Sequence, residues 1–135
     1  MRGESYRLRL LAASLLLAAL AALAACGGGM SEAERAAAEM TGGGDPARGR
    51  AAIERYGCGT CHTIPGVRGA DSLVGPPLSQ VASRAYVGGV LTNSPENMIR
   101  WIQDPRAVDN LTAMPTLGVT DRDARDIASY LYTLK

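Results

Sequence analysis

The chain has 135 residues, a formal net charge of +1, 20% charged and 4% aromatic residues, sixteen Gly and no Phe. That is one domain's length with few large side chains to fill a core, so a bulky apolar bound group is the expected compensation. No basic stripe suggests nucleic acid, and the sole lysine is Lys135, so any positive docking surface must be built from arginine.

Residues 1–25 open with Arg2, Arg7 and Arg9 and continue as an apolar run from Leu10 to Ala25. This is the pattern of an export signal, too short for a span of about 20 apolar residues. Excluding it removes three bases and one acid and leaves 11 against 12, a net charge of −1. Leu23-Ala24-Ala25-Cys26 resembles the lipobox of bacterial lipoproteins, which implies cleavage before Cys26 and lipidation of its thiol. The alternatives are an uncleaved anchor and ordinary cleavage with Cys26 unmodified. Cysteine arithmetic favours the lipid, because an exported chain with three cysteines has one left over if Cys58 and Cys61 act together.

From Gly27 to Gly44 two glycine triplets flank an Ala/Glu-rich run, so residues 26–44 are expected to form a lipidated terminus and a flexible linker. As a random coil, this stretch spans about 23 Å, and about 60 Å at full stretch. Met30 and Met40 fall within it and are expected to have no ligand role.

Residues 45–135 carry three helical signals. The first has Asp45 as N-cap, Pro46 at the first helical position, and Gly49, Ala52, Ile53 and Tyr56 on one face. The second starts at Ser94-Pro95-Glu96, places Met98, Trp101 and Ile102 on one side, and stops by Asp104-Pro105. The third has Thr120 as N-cap with Asp123 three residues on, then a stripe of Ala124, Ile127, Ala128 and Leu131. Long Gly- and Pro-rich stretches between them, without the alternation of strands, need something to wrap around. The expected class is all-α, with about three to five helices around one bound group.

Cys58-Gly59-Thr60-Cys61-His62 is the C-x-x-C-H pattern of covalent c-type haem attachment. Both thiols and the imidazole must meet one flat macrocycle from one side, and this spacing allows it. A zinc site needs four ligands, but His62 is the only histidine and Cys26 belongs to the leader. A thioredoxin-like redox pair expects a βαβ context, and none is visible.

With no second histidine, the sixth ligand falls to Met98 or Met114. A mid-helix methionine beside Trp101 is most often core filler. Met114 lies on an irregular loop, and Pro115 biases it to an extended conformation, so it is the expected ligand. A His/Met pair suits electron transfer, whereas an open sixth position would suit a sensor or an enzyme.

The ordered set of Gly49 and Tyr56, Cys58-x-x-Cys61-His62, Gly75-Pro76-Pro77-Leu78, Met114-Pro115 and Asp126-Ile127-Ala128-Ser129-Tyr130-Leu131 resembles the class I c-type cytochromes over residues 45–135. The resemblance implies a small class I cytochrome c fold whose first and last helices cross near one haem c, bringing Gly49 and Tyr56 to Ile127, Tyr130 and Leu131. It implies that the Pro76 carbonyl orients His62. Arg84 and Trp101 would face the haem propionates, with exposed surface arginine and simple core packing as their alternatives; Tyr86 is a weaker candidate for the same pocket.

The lysine ring of the mitochondrial members has no counterpart here. Arg48, Arg50, Arg55 and Arg68 either replace it or are scattered surface charge. The expected function is a membrane-tethered one-electron carrier of a bacterial respiratory chain, not an enzyme, with its haem domain in the periplasm or on the outer face. A respiratory complex or periplasmic dehydrogenase would be the donor and a terminal oxidase or other reductase the acceptor. A fixed subunit of a larger oxidoreductase is the alternative, and a ligand-binding haem protein a weaker one.

Overall fold

The computed structural model describes residues 29–135, so the expected signal peptide and Cys26 lie outside the described residues. Ser31–Lys135 form one compact unit.

The unit begins with a departure from the sequence reading. Residues 31–44 are not a linker: Glu32–Met40 form helix α1, and Ser31 caps it through a reciprocal capping box with Glu34. Ala37 and Thr41 are buried, and the Gly44 carbonyl accepts a 3.2 Å hydrogen bond from the buried Ser129 hydroxyl. Small side chains let this helix lie close against the last one. That contact holds a segment whose glycine-flanked composition reads as coil.

Helix α2, Pro46–Arg55, starts as expected, with the Asp45 carboxylate accepting from the Arg48 amide at 2.9 Å. Helix α3, Pro95–Gln103, is capped by Ser94 and buries Met98, Ile99, Trp101 and Ile102. Asp104 ends it and caps a four-residue helix α4, Pro105–Val108. Helix α5, Asp121–Tyr132, is capped by Thr120. It buries residues on nearly all sides, because α1, α2 and α3 all pack against it.

The α2–α5 crossing is set by Gly49, where an added Cβ would collide with the Asp126 carbonyl and stand 3.0 Å from the Ile127 nitrogen. Beside it, buried Asp126 accepts from the Asp45 amide and from Arg48 Nε and Nη2 at 2.7–2.9 Å. Burial raises the Asp126 carboxyl pKa, but these donors outweigh it and leave the group below the ordinary aspartate range. The expected first-to-last-helix contact therefore exists, with two shifts in detail. Tyr56 donates its hydroxyl to Asp123 at 2.8 Å, one turn earlier on α5 than expected, and Tyr130 donates to the Pro65 carbonyl.

A small antiparallel hairpin, β1 Tyr86–Val87 and β2 Leu91–Thr92, precedes α3. Two-residue strands are too short to show alternation, so no sequence pattern announced it. Asn93 locks the turn region, donating to the Val81 and Arg84 carbonyls and accepting from the Tyr132 hydroxyl at 2.8 Å. The result is a mostly helical fold of five α-helices among the described residues.

Candidate haem-binding site

Helix α2 ends at Arg55 with Tyr56 as its C-cap, and Gly57, in the left-handed region at φ 70°, turns the chain into a 3-10 turn, Cys58–Thr60. The Cys61 and His62 amides both donate to the Cys58 carbonyl, at 3.2 and 3.0 Å. Side chains three apart in such a turn eclipse one another, so Cys58 and Cys61 share a side. Both thiols are free and half-buried, and both line one cavity of about 330 Å³ together with His62. Burial pushes the Cys58 thiol up, the reverse of what a redox-active dithiol needs.

His62 Nδ1 lies 2.7 Å from the Pro76 carbonyl oxygen. A carbonyl only accepts, so Nδ1 carries the proton and Nε2 keeps the lone pair. The loop supplying that carbonyl is held on both sides. The Gly75 amide donates to the Cys61 carbonyl at 2.6 Å, the Leu78 amide donates to Thr63 at 2.8 Å, and Arg84 Nη2 donates to the Pro77 and Ser79 carbonyls. Gly75 is required by space, since a Cβ there would sit 2.5 Å from His62 Cε1 and 2.8 Å from Nδ1.

Met114 lines the same cavity, half-buried on the loop between α4 and α5 and packed against the core, with its amide donating to Thr112 Oγ1 at 3.2 Å. Met98 also lines the cavity, from α3, but it is 2% exposed and belongs to the core. Trp101, Arg84 and Pro76 line the same space, as does the weaker candidate Tyr86, and Ile53, Ile127 and Leu131 give it an apolar wall. Cys58, Cys61, His62, Pro76, Arg84, Trp101 and Met114 therefore all line one cavity; Cys26 is outside the described residues. The hold of Arg84 on the Pro76–Pro77 loop went unread, because its partners are backbone carbonyls without a side-chain signature.

These residues fit a covalently held haem. Two thiols that share a side of one turn, an imidazole nitrogen with a free lone pair, and a thioether from a separate loop, all lining one apolar cavity, are the donor set that group needs. Among the described residues no three His, Cys, Asp or Glu side chains gather as a metal-binding group.

The family model described as Cytochrome c matches residues 46–135. The chain is also similar to cytochrome c oxidase subunit 2 of Alkalihalophilus pseudofirmus, 30% identical over 89 residues, covering 65% of this chain and 25% of that protein. It thus spans about a quarter of that relative's length. No solved structure matches. With the all-α fold and the donor set already described, the chain belongs to the cytochrome c family, as a haem electron-transfer protein with covalently bound haem c.

Proposed function

We propose that this protein is a membrane-tethered one-electron carrier of a bacterial respiratory chain. Cys58 and Cys61 would hold the haem through thioethers, and His62 Nε2 and Met114 Sδ would be the ligands to its iron. When bound, the haem supplies reversible one-electron oxidation and reduction of its iron. Pro76 fixes the imidazole through its Nδ1 proton, and Arg84 steadies the loop that carries Pro76. The remaining N–H groups of Arg84, with the indole of Trp101, are assigned to the propionate edge.

The observation that carries this reading is the convergence of Cys58, Cys61, His62 and Met114 on one apolar cavity. With His62 and Met114 both serving as iron ligands, no position would be left open to a substrate, and the haem would supply electron exchange alone.

The tether is assigned to lipidated Cys26, with the haem domain in the periplasm or on the outer face. Because α1 is part of the domain, only Gly27–Met30 separate Cys26 from Ser31. Four residues reach about 14 Å at most. Helix α1 packs against α5, and the turn after it meets α5 at Arg125 and Ser129 through Gly42 and Gly44. Such tethering gives an effective concentration of about millimolar for a membrane acceptor. A respiratory complex or periplasmic dehydrogenase is the proposed donor, and a terminal oxidase or other reductase the acceptor.

The similarity to part of an oxidase subunit favours a second reading, a fixed electron-transfer domain of a larger oxidoreductase. Expression with a c-type maturation system separates the claims. The carrier reading expects one haem that resists acid–acetone extraction, a reversible one-electron couple and an isolable single chain. Recovery only as part of a stable complex supports the second reading, and extractable haem contradicts both.

A further inference from the structure

The turn between β1 and β2 carries two glycines in the left-handed region, Gly88 at φ 58° and Gly89 at φ 78°. Both backbone conformations favour glycine. Only Gly88 also lacks room for a side chain. A Cβ there would stand 2.5, 2.6 and 2.7 Å from Cζ2, Cη2 and Cε2 of Trp101, whereas a Cβ at Gly89 would meet nothing within 4 Å. Cε2 is the ring carbon bonded to the indole nitrogen, and Gly88 and Trp101 both line the cavity. The turn backbone therefore lies directly against the indole.

Neither partner of this contact is free to give way. Trp101 is 9% exposed and shares the buried residues of α3 with Met98, Ile99 and Ile102. An indole so covered accommodates an added methyl group by turning its ring, and turning the ring re-aims the N–H. The hairpin is tied down independently of the indole. The Asn97 side-chain amide on α3 donates to the Thr92 carbonyl at 2.9 Å, the Asn93 backbone amide donates to the Ala85 carbonyl at 2.9 Å, and the Tyr132 hydroxyl on α5 donates to Asn93 Oδ1 at 2.8 Å. Buried Val87 anchors the strand that leads into the turn.

We infer that Gly88 is a positioning residue for the carboxylate edge of the haem, setting the plane of the Trp101 indole and with it the direction of its N–H. The inference rests on the carrier reading above, in which that N–H serves a propionate, and it adds what holds the donor in place. An asparagine, which tolerates positive φ, would satisfy the turn but not the contact. A propionate deprived of its donor keeps more of its negative charge near the iron, which favours the ferric state and lowers the reduction potential.

The test uses the full-length holoprotein in detergent, matured with covalent haem. Trp101 is the sole tryptophan, so its indole N–H gives one unambiguous proton resonance in the diamagnetic ferrous state. In wild type this proton is expected to exchange slowly with solvent deuterium. Gly88→Ala should speed the exchange by at least about tenfold, the loss of a hydrogen bond to a charged group, and should lower the reduction potential. Gly89→Ala imposes the same left-handed strain without touching the indole, and should leave both readings at their wild-type values. In a Trp101→Phe background, Gly88→Ala should shift the potential no further, because the two residues act as one unit.

Equal effects of Gly88→Ala and Gly89→Ala overturn the inference, since turn strain alone would then account for them. So does an unchanged exchange rate or potential in Gly88→Ala, a further shift in the Trp101→Phe background, or a wild-type N–H that exchanges as fast as free indole. If Gly88→Ala does not hold its fold, Trp101→Phe, which removes the crowded ring atoms, should restore it; failure to restore it overturns the contact. Absence of covalent haem or of a one-electron couple sinks the carrier reading itself. An intact couple that is indifferent to Gly88→Ala sinks only the positioning role.

Discussion

Gly49→Ala is ordinarily a stabilising change, worth about 0.5–1 kcal/mol in a helix interior. Here the new methyl group would collide with the Asp126 carbonyl, and it would sit 2.5 Å from the Asp126 carbonyl carbon and 3.0 Å from the Ile127 nitrogen. All three contacts are with backbone, so no side-chain rotation relieves them. Helices α2 and α5 must separate by roughly an ångström, loosening Ala52 and Ile53 against α5 and weakening the Asp126 bonds to Asp45 and Arg48. Overpacking of this kind costs about 1–3 kcal/mol, more than the helix-propensity gain. From the middle of each range the expected net loss is about 1 kcal/mol, which lowers Tm by roughly 4–8 °C for a domain of this size. Thermal unfolding of the ferric holoprotein, followed by far-ultraviolet circular dichroism, reads it directly. An unchanged or raised Tm would refute the close α2–α5 crossing and its dependence on Gly49.

The remaining expectations concern the histidine loop, the buried carboxylate and the first helix. Gly75→Ala should push the His62 ring off its bond to Pro76, making the imidazole less basic and so shifting the ferric spectrum and raising the reduction potential while the covalent haem is retained; an unaltered spectrum and potential would contradict the contact. Asp126 is held below its unfolded pKa, so its stabilisation is present above the ordinary aspartate range and is lost as pH falls through that range toward the folded value. Asp126→Asn should cost about 1–3 kcal/mol, toward the lower end because Arg48 is half exposed, and should flatten the acid limb of stability against pH measured by urea unfolding. An unchanged acid limb would show that Asp126 has no part in it. Ala37→Arg, at a site 2% exposed, should detach α1 and speed limited proteolysis between Thr41 and Gly44 without altering the haem spectrum; cleavage at the wild-type rate would mean that α1 packing is immaterial.

What the sequence disclosed follows from the size of each signal. Helices α2, α3 and α5 were legible because each begins with a capping residue, two of them with proline next, and each carries an apolar stripe. Helix α1 was not, because its buried contacts are Ala37 and Thr41, which leave no apolar period. The hairpin at Tyr86–Thr92 is too short to alternate, and the role of Asn93 depends on carbonyls more than eight residues away in the chain. At the site, Cys58, Cys61 and His62 were legible from spacing alone, and Pro76 from the family pattern. Arg84 was selected for the propionates, yet the structure also ties it to the Pro77 and Ser79 carbonyls, a partnership invisible in a sequence. Both methionines line the cavity, so loop position and half-burial, not cavity membership, favour Met114 over Met98.

The central claim is that Met114 completes a closed His/Met pair, and the ferric optical spectrum tests it most directly. The account predicts the weak long-wavelength charge-transfer band of methionine sulfur on ferric haem, its loss in Met114→Ala, its persistence in Met98→Leu, and no binding of carbon monoxide to the reduced wild-type protein. A wild-type spectrum without that band, or ready carbon monoxide binding, would contradict the account and leave the sixth position open to a small molecule.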